Sequence, residues 1–374
     1  MKHIKGLDTL RAYSIALVII AHWGPSYTDQ QPIWKFIQIF LAPDGSVGVT
    51  IFFVLSGFLI TSILLDAKAN SSTPNHFITI KNFFFRRALR IFPIYYLMIG
   101  FLYLVNYVDV RANIAYALTY TMNIFCYNTN SWNSISHTWT LCIEEQFYIL
   151  WPWLILFTKD KYLKYLFILF IGTGIISSYY ALTNGHIAPF LPHHCFDAFG
   201  IGGLYAYMRQ DETRCRKFEK AMWVIGPASL AVFLYWQVPF YINQPQPALS
   251  IFRKTIISIV ALWLIILIVN NRSAIMKKYL LENRFFNFIG KISYGLYLYH
   301  IPFLTHVAWP LKSYMERLGN EHQQFKLLFT NYAFYYTLST GLLVLLAWLT
   351  FTLIEKPFLR IKKYFKYEPA IATT

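Results

Sequence analysis

Long apolar segments alternate with short polar segments along most of this 374-residue chain. Apolar runs such as 47–65, 163–182 and 333–354 hold about the 20 residues that a helix needs to cross a hydrocarbon core of roughly 30 Å. Shorter apolar runs between them are long enough to complete a helical bundle. The pattern predicts an all-α membrane protein, built as a bundle of about ten transmembrane helices.

The positions of the basic residues favour one orientation of this bundle. With a cytoplasmic amino terminus, the predicted spans are 9–23, 47–65, 91–108, 144–158, 163–182, 196–208, 221–238, 255–269, 292–309 and 332–354. Most Lys and Arg residues then fall in cytoplasmic segments, as the positive-inside rule requires. Both termini are expected to be cytoplasmic. Residues 1–374 are expected to form a single membrane domain with no appended extracytoplasmic domain.

The apolar segment 114–125 conflicts with a simple count of spans. A further crossing there would invert every later loop and place the basic stretches RQDETRCRK and NNRSAIMKK outside. We therefore expect a re-entrant or interfacial helix on the outer side, which a membrane tolerates where protein covers the backbone. The first span is expected to stay uncleaved, because Arg11 interrupts it and no small-residue cleavage site follows.

Composition excludes several other classes of protein. The chain is 56% hydrophobic and 13% charged, a balance that is unusual for a soluble globule. Its net charge of +16 comes from residues scattered among the loops, so we expect no nucleic-acid partner. The cysteines lack metal-type spacing, so we expect no metal. Packing thiols are the favoured interpretation, and a disulfide between two of Cys126, Cys142 and Cys195 is the alternative.

Two ionisable residues, Arg11 and His22, lie inside the first apolar segment. Eleven helical steps bring them to within about 20° of one face and separate them by roughly 16 Å along the axis. Ionisable groups within a span are costly and usually face a functional interior. The pair therefore predicts an internal passage lined by both side chains.

Three arginines open the predicted third span in the stretch KNFFFRRALRIFPIYY. Arg87 and Arg90 are three residues apart, so two guanidinium groups can face one anion, with Arg86 beside them. The alternative is that all three are ordinary positive-inside anchors. Because Arg11 lies at the same predicted level, we favour an anion-binding vestibule of four cations.

Candidate residues for chemistry also lie at the predicted outer level. Glu144, in the stretch SHTWTLCIEEQFYILWP, is placed to orient His22, or else is a favourable anion at a helix amino terminus. His300, with Tyr297 one turn earlier, either lines the passage or hydrogen-bonds across helices. Trp139 either stacks on a sugar or belongs to an interfacial aromatic belt.

Six stretches of the sequence carry a family resemblance when they are taken in order. They are GLDTLRAYSIALVIIAHW, FFVLSGFLI, RRALRIFPIYY, HTWTLCIEEQFYILWP, ISYGLYLYHIPF and EKPF. Together they resemble the successive signature blocks of the membrane acyltransferase 3 family, over nearly the whole chain. Thr9 stands where the family commonly has glycine, and Thr140 replaces a frequent serine.

The resemblance implies a multi-pass protein of the bacterial cytoplasmic (inner) membrane. It implies transfer of an acyl group, most often acetyl from acetyl-CoA, to a hydroxyl of an extracytoplasmic glycan or lipid-linked saccharide. The family's arginine and histidine of the first span fall on Arg11 and His22, its arginine pair on Arg87 and Arg90, and its glutamate on Glu144.

With that implication, the spacing of the ionisable residues has a mechanical interpretation. Cytoplasmic arginines would bind the phosphates of acyl-CoA, and its pantetheine arm would reach His22, which acts as general base or forms an acyl-imidazole. Trp139, Tyr297 and His300 are the candidate substrate-binding residues. Relay of the acyl group to a partner transferase is one alternative, and a transporter or flippase without acyl chemistry is another. Oligomeric state stays open.

Overall fold

The computed structural model describes residues 4, 6–23, 44–69, 75–186, 189–241, 247–270, 282–322, 324, 326, 331–365 and 367. Over these residues the regular structure is helical, and no strand occurs among them. The all-α class is therefore confirmed. The terminal residues 1–3 and 368–374 lie outside the described residues, so the expected cytoplasmic termini stay a prediction.

The helices follow one another with short connections. The α-helices are α1 (Leu7–Trp23), α2 (Gly45–Ala69), α3 (His76–Leu104), α4 (Ile114–Leu118), α5 (Met122–Thr129), α6 (Trp139–Phe157), α7 (Asp160–Thr183), α8 (Phe196–Met208), α9 (Glu212–Tyr241), α10 (Pro247–Asn270), α11 (Arg284–Lys291), α12 (Ser293–Phe303), α13 (Trp309–Glu321), α14 (Tyr332–Thr350) and α15 (Lys356–Ile361). Short 3-10 helices lie at Ser136–Thr138, Pro192–Cys195 and Lys362–Tyr364. π-Helical turns lie at Leu304–Ala308 and Phe351–Glu355.

Helices cover most of each of the ten predicted spans, and α8 begins and ends at the predicted residues. Five helices are long and apolar enough to cross a membrane. They are Gly45–Ala69, His76–Leu104, Asp160–Thr183, Phe252–Asn270 and Tyr332–Tyr364. The total of ten crossings stays a prediction beyond these five.

The ambiguous segment 114–125 is not the single helix that its apolar character predicts. It holds α4, of 5 residues, and the first part of α5, of 8 residues. At about 1.5 Å per residue, neither reaches across a hydrocarbon core. The break falls near Tyr120, whose φ is 54° and whose ring stacks on Tyr95 at 4.3 Å. The ring contact and the left-handed backbone end α4.

Two helices begin elsewhere than the sequence predicts, and both differences move functional residues. α3 begins at His76, behind an Asn75 cap that accepts a hydrogen bond from the backbone of Ile78 at 3.1 Å. The arginine cluster therefore lies well inside α3. α6 begins at Trp139 after a 3-10 turn, so Glu144 lies in its second turn and is not an anion at the helix start.

Close approach of backbones at glycines holds α2 against α1 and α8. A Cβ atom at Gly48 would lie 2.3 Å from the carbonyl oxygen of Ser14 in α1. A Cβ atom at Gly57 would lie 2.2 Å from the carbonyl oxygen of Phe199 in α8. Small residues permit such packing where helices associate without a hydrophobic driving force. These contacts fix α1, which carries both Arg11 and His22, against α2.

Replacement of Gly57 by alanine is expected to destabilise the protein. The added methyl group has no space against Phe199, so the helices must separate, at a cost of about 1–3 kcal/mol. Gly172→Ala in α7 is the matched control, because a Cβ atom there meets nothing within 4 Å. We expect the control to be neutral or slightly stabilising. Unfolding midpoints in detergent, measured at one scan rate, check this, and equal midpoints for the two variants would contradict it.

Candidate functional site

Two adjoining cavities lie among α1, α2, α3, α6 and α12. The arginine cavity has a volume of about 250 Å³ and is lined by Arg11, Arg87, Arg90 and Glu144, among others. The histidine cavity has a volume of about 690 Å³ and is lined by residues that include His22, His137, Trp132, Trp139 and Lys254. Both cavities share Val49, Phe53, Thr140 and Tyr297. These four residues form the wall between them.

Arg87 and Arg90 present two cations to the arginine cavity. The guanidinium group of Arg87 lies over the rings of Tyr148, at 5.1 Å, and Phe83, at 5.6 Å. Within the described part of the chain, neither arginine forms a hydrogen bond or an ion pair with a protein group. A partly buried charge without a partner is costly. This pair is therefore a candidate site for an anionic ligand.

Arg11 lies in the same cavity but is already partnered. Its Nη1 donates to the carboxylate of Asp8 at 2.6 Å, one turn earlier in α1. The cavity thus contains three of the four predicted cations, and two of them, Arg87 and Arg90, form no direct ion pair among the described residues, although Glu144 lines the same cavity.

Arg86 does not join them, and its expected role in binding a cofactor stays a prediction. Its guanidinium donates to the backbone carbonyls of Lys362 and Phe365, both at 3.1 Å, and lies over the ring of Tyr367. It is not among the residues that line the arginine cavity. These carbonyls take up its charge, so Arg86 fastens the carboxy-terminal segment to α3.

Glu144 also lies apart from its expected partner. Its carboxylate accepts hydrogen bonds from the hydroxyls of Ser56 at 3.1 Å and Tyr148 at 3.0 Å. The predicted contact with His22 is not formed, because Glu144 lines the arginine cavity while His22 lines the histidine cavity. Glu144 therefore holds two hydroxyls beside the arginines.

His22 is oriented by the backbone instead of by a carboxylate. Its Nδ1 lies 2.8 Å from the carbonyl oxygen of Val18 in the preceding turn. A carbonyl oxygen only accepts, so Nδ1 carries the hydrogen of the neutral ring. Nε2 then holds the free lone pair and is the basic atom. The structure thus presents an imidazole of one tautomer at the histidine cavity.

Two more histidines surround it, and one of them was missed by the sequence analysis. The ring centre of His300 lies 4.9 Å from that of His22 and 5.2 Å from that of His137. His300 is fully buried behind His22 and does not line the histidine cavity. His137 lines it, and lies two residues before Trp139 in a block that the family resemblance already included.

The orientation of His137 depends on a proline in another helix. Pro302 has no N–H, so the carbonyl of Leu298, four residues earlier in α12, lacks its usual helical donor. His137 Nε2 lies 3.1 Å from that carbonyl oxygen and supplies the missing hydrogen bond. Its Nδ1 is left buried without a partner among the described residues.

Tyr297 stands in the wall between the two cavities. Its hydroxyl donates to the backbone carbonyl of His137 at 2.5 Å and accepts from the Thr140 hydroxyl at 2.5 Å. Trp139, the neighbour of Thr140, lines the histidine cavity. Two of the three predicted substrate-binding residues, Trp139 and Tyr297, therefore line that cavity, and His300 lies just behind it.

The four cysteines are all free thiols in the structure. Across the described ranges, no group of three or more His, Cys, Asp or Glu side chains is placed to hold a metal ion.

Comparison with known proteins agrees with the sequence blocks. Residues 4–352 match a family model described as "Acyltransferase domain". A peptidoglycan O-acetyltransferase, OatA, of Listeria monocytogenes is 26% identical over 332 residues, which cover 81% of this chain and 50% of that protein. A putative O-acetyltransferase of Staphylococcus aureus is 28% identical over 335 residues, covering 82% of this chain and 52% of that protein.

A shorter stretch matches a third relative more closely. A putative peptidoglycan O-acetyltransferase, YrhL, of Bacillus subtilis is 35% identical over 167 residues, covering 40% of this chain and 23% of that protein. The chain thus spans about half the length of the first two relatives, or less of the third. No solved structure matches the chain significantly.

The partners of Glu144 can be tested by double-mutant cycles on stability. We expect Glu144→Gln and Ser56→Ala to show a coupling energy of about 0.5–1.5 kcal/mol, because the two side chains share a hydrogen bond. Glu144→Gln and His22→Ala are expected to be additive within about 0.5 kcal/mol. Chemical unfolding in mixed micelles provides the free energies of unfolding. A coupling energy between Glu144 and His22, with none between Glu144 and Ser56, would show that Glu144 and His22 do not belong to separate cavities.

Proposed function

Because this chain belongs to the acyltransferase 3 family, we propose that it is an O-acetyltransferase of the bacterial cytoplasmic membrane. It transfers an acetyl group from acetyl-CoA on the cytoplasmic side to a hydroxyl of an extracytoplasmic glycan or lipid-linked saccharide. The proposal rests on one observation: unpartnered arginines and a basic imidazole lie in two cavities that share a wall. The names of the relatives support O-acetyl transfer.

The arginine cavity fits the donor. Arg87 and Arg90 bind phosphate oxygens of acetyl-CoA, since a guanidinium group matches phosphate with paired N–H donors. Arg11, already bonded to Asp8, adds positive charge at the same level. Glu144 is a positioning residue in this proposal, because it holds Tyr148, whose ring lies under Arg87. The thioester supplies an acyl carbon that is activated for attack.

The histidine cavity is the place of acyl transfer in this proposal. His22 Nε2 removes the proton from the acceptor hydroxyl as its oxygen bonds to the acyl carbon. The bond from that carbon to sulfur breaks, and His22 returns the proton to the departing sulfur. The Val18 carbonyl stabilises the protonated ring through Nδ1–H and keeps Nε2 directed for both transfers. Trp139 and Tyr297 form the acceptor side of this site, and His300 packs behind His22.

His22→Ala is expected to abolish transfer while leaving donor binding intact. General base catalysis contributes about 10²–10⁴ in rate, so we expect at least a 100-fold loss. Affinity for acetyl-CoA stays within about twofold, since the phosphates bind in the other cavity. Transfer of labelled acetyl groups in lipid nanodiscs and equilibrium binding of acetyl-CoA provide the two measurements.

The control for this variant is His306→Ala. His306 is exposed, its ring centre lies 4.5 Å from that of Tyr107, and it lines neither cavity. It is expected to leave transfer unchanged. A folded His22→Ala protein that still acetylates the acceptor at the wild-type rate would remove His22 from the mechanism.

Arg87→Ala and Arg90→Ala are each expected to weaken acetyl-CoA binding by about 10- to 100-fold, as the loss of a charge-assisted hydrogen bond does. Arg86→Ala, on the same helix, is the matched control, because its guanidinium bonds to backbone carbonyls away from the cavity. We expect its affinity to stay within about threefold of wild type. Isothermal titration in nanodiscs tests all three. Equal losses for the three variants would show that the cluster acts only through net charge.

A further inference from the structure

Trp132 is an exposed aromatic side chain in the wall of the histidine cavity. The residue is 54% exposed, although other aromatic rings surround it. The edge of Phe190 lies at 4.9 Å and Trp139 at 6.5 Å, measured between ring centres. This aromatic ring is exposed inside a concave site and lies beside the proposed base, which indicates a role in binding. Single aromatic residues scattered over a protein surface carry no such indication.

The loop that carries Trp132 is held in place by its own polar side chains. The Asn133 side chain accepts from the backbone of Ile135 at 3.0 Å and from the Ser136 hydroxyl at 2.8 Å. Asn130 Nδ2 donates to the carbonyl of Gly185 at 3.0 Å. Trp132 is thus presented by an ordered turn, and a rigid aromatic ring gives contact area at little cost in conformational entropy.

The cations of the histidine cavity are compensated, unlike those of the arginine cavity. Lys254 Nζ lies 3.0 Å from the fully buried carboxylate of Asp197 and donates to Ser178 at 2.8 Å. Arg253 pairs with Asp44. An anionic ligand would therefore gain little from these groups. The cavity favours an uncharged ligand that carries hydrogen-bonding groups.

Size and lining narrow the ligand to a sugar. The volume of about 690 Å³ lies within the range of about 300–1,000 Å³ that is typical of ligand pockets. Trp132 and Trp139 offer flat apolar faces, while His22 and Lys254 offer polar groups in the same lining. A pyranose ring has one face of C–H groups and a rim of hydroxyls, so it matches both. A lipid acyl chain would leave Nε2 of His22 without a hydrogen-bond partner.

We propose that Trp132 is the stacking platform of a saccharide subsite in the histidine cavity. The subsite takes an uncharged pyranose ring of the acceptor and holds its hydroxyl within reach of His22. This assignment rests on the proposed function for its acceptor, and it adds the residue that binds the sugar and the charge state of that sugar.

Saturation-transfer NMR with chitopentaose as the probe tests the subsite without any acyl transfer. Wild-type protein in nanodiscs is expected to transfer saturation to the C–H protons of the sugar rings. Trp132→Ala is expected to raise the dissociation constant by about tenfold or more, and Trp132→Phe is expected to retain most of the affinity, because a flat ring remains. Trp153→Ala is the matched control: Trp153 is 40% exposed, stacks on Phe157 and lines neither cavity.

The outcomes separate the subsite from the acyl chemistry. No saturation transfer from wild type, or equal transfer from Trp132→Ala, overturns the proposal. An oligogalacturonate that binds more than tenfold tighter than chitopentaose overturns the assignment to an uncharged ring. If Trp132-dependent binding of chitopentaose is found but labelled acetyl groups never reach a glycan, the saccharide subsite stands and the proposed function fails.

Discussion

A charge enclosed by helices needs a partner, because the loss of its hydration is costly in a medium of low dielectric constant. Two enclosed cations have such a partner: Arg11 is paired with Asp8, and Lys254 is paired with Asp197. Arg87 and Arg90 are the exceptions in the arginine cavity: among the described residues they form no direct ion pair, and the carboxylate that lines the same cavity, Glu144, accepts from hydroxyl groups. The same constraint therefore divides the interior into two environments. One is suited to an anion, and the other, with its cations compensated, is suited to a neutral molecule.

Backbone carbonyls fix the chemistry at the boundary of the second environment. Val18 sets the tautomer of His22, and Leu298 sets that of His137. The Leu298 carbonyl can accept the hydrogen bond from His137 because Pro302 has no N–H to donate to it. The proline in α12 therefore helps to orient His137. A carbonyl orients the ring as a carboxylate would, but it carries no full charge. The basic nitrogen of His22 thus faces the cavity without a fixed anion beside it.

The sequence predicts some of this arrangement and not the rest. The spacing of Arg11 and His22 places them on one face of α1 at separate depths, and they line separate cavities, because helical geometry is local. The contacts of Arg86 could not be predicted, because its partners are carbonyls 276 and 279 residues later in the chain. The position of Glu144 was wrong because α6 starts at Trp139, behind a 3-10 turn that no periodicity indicates. A contact between distant segments decided the first difference, and a local irregularity before α6 decided the second.

The wall between the arginine cavity and the histidine cavity suits the proposed acyl transfer better than one open channel would. Tyr297 closes the passage with two hydrogen bonds, to the His137 carbonyl and to Thr140, each worth about 1 kcal/mol net. In the proposed reaction, a thin arm that enters from the arginine cavity displaces this side chain and the other wall residues, Val49, Phe53 and Thr140. The wall then limits the access of water from the acceptor side. Exclusion of water protects a thioester from hydrolysis. In the proposed reaction, the same tyrosine that divides the site therefore limits loss of the acyl group to water.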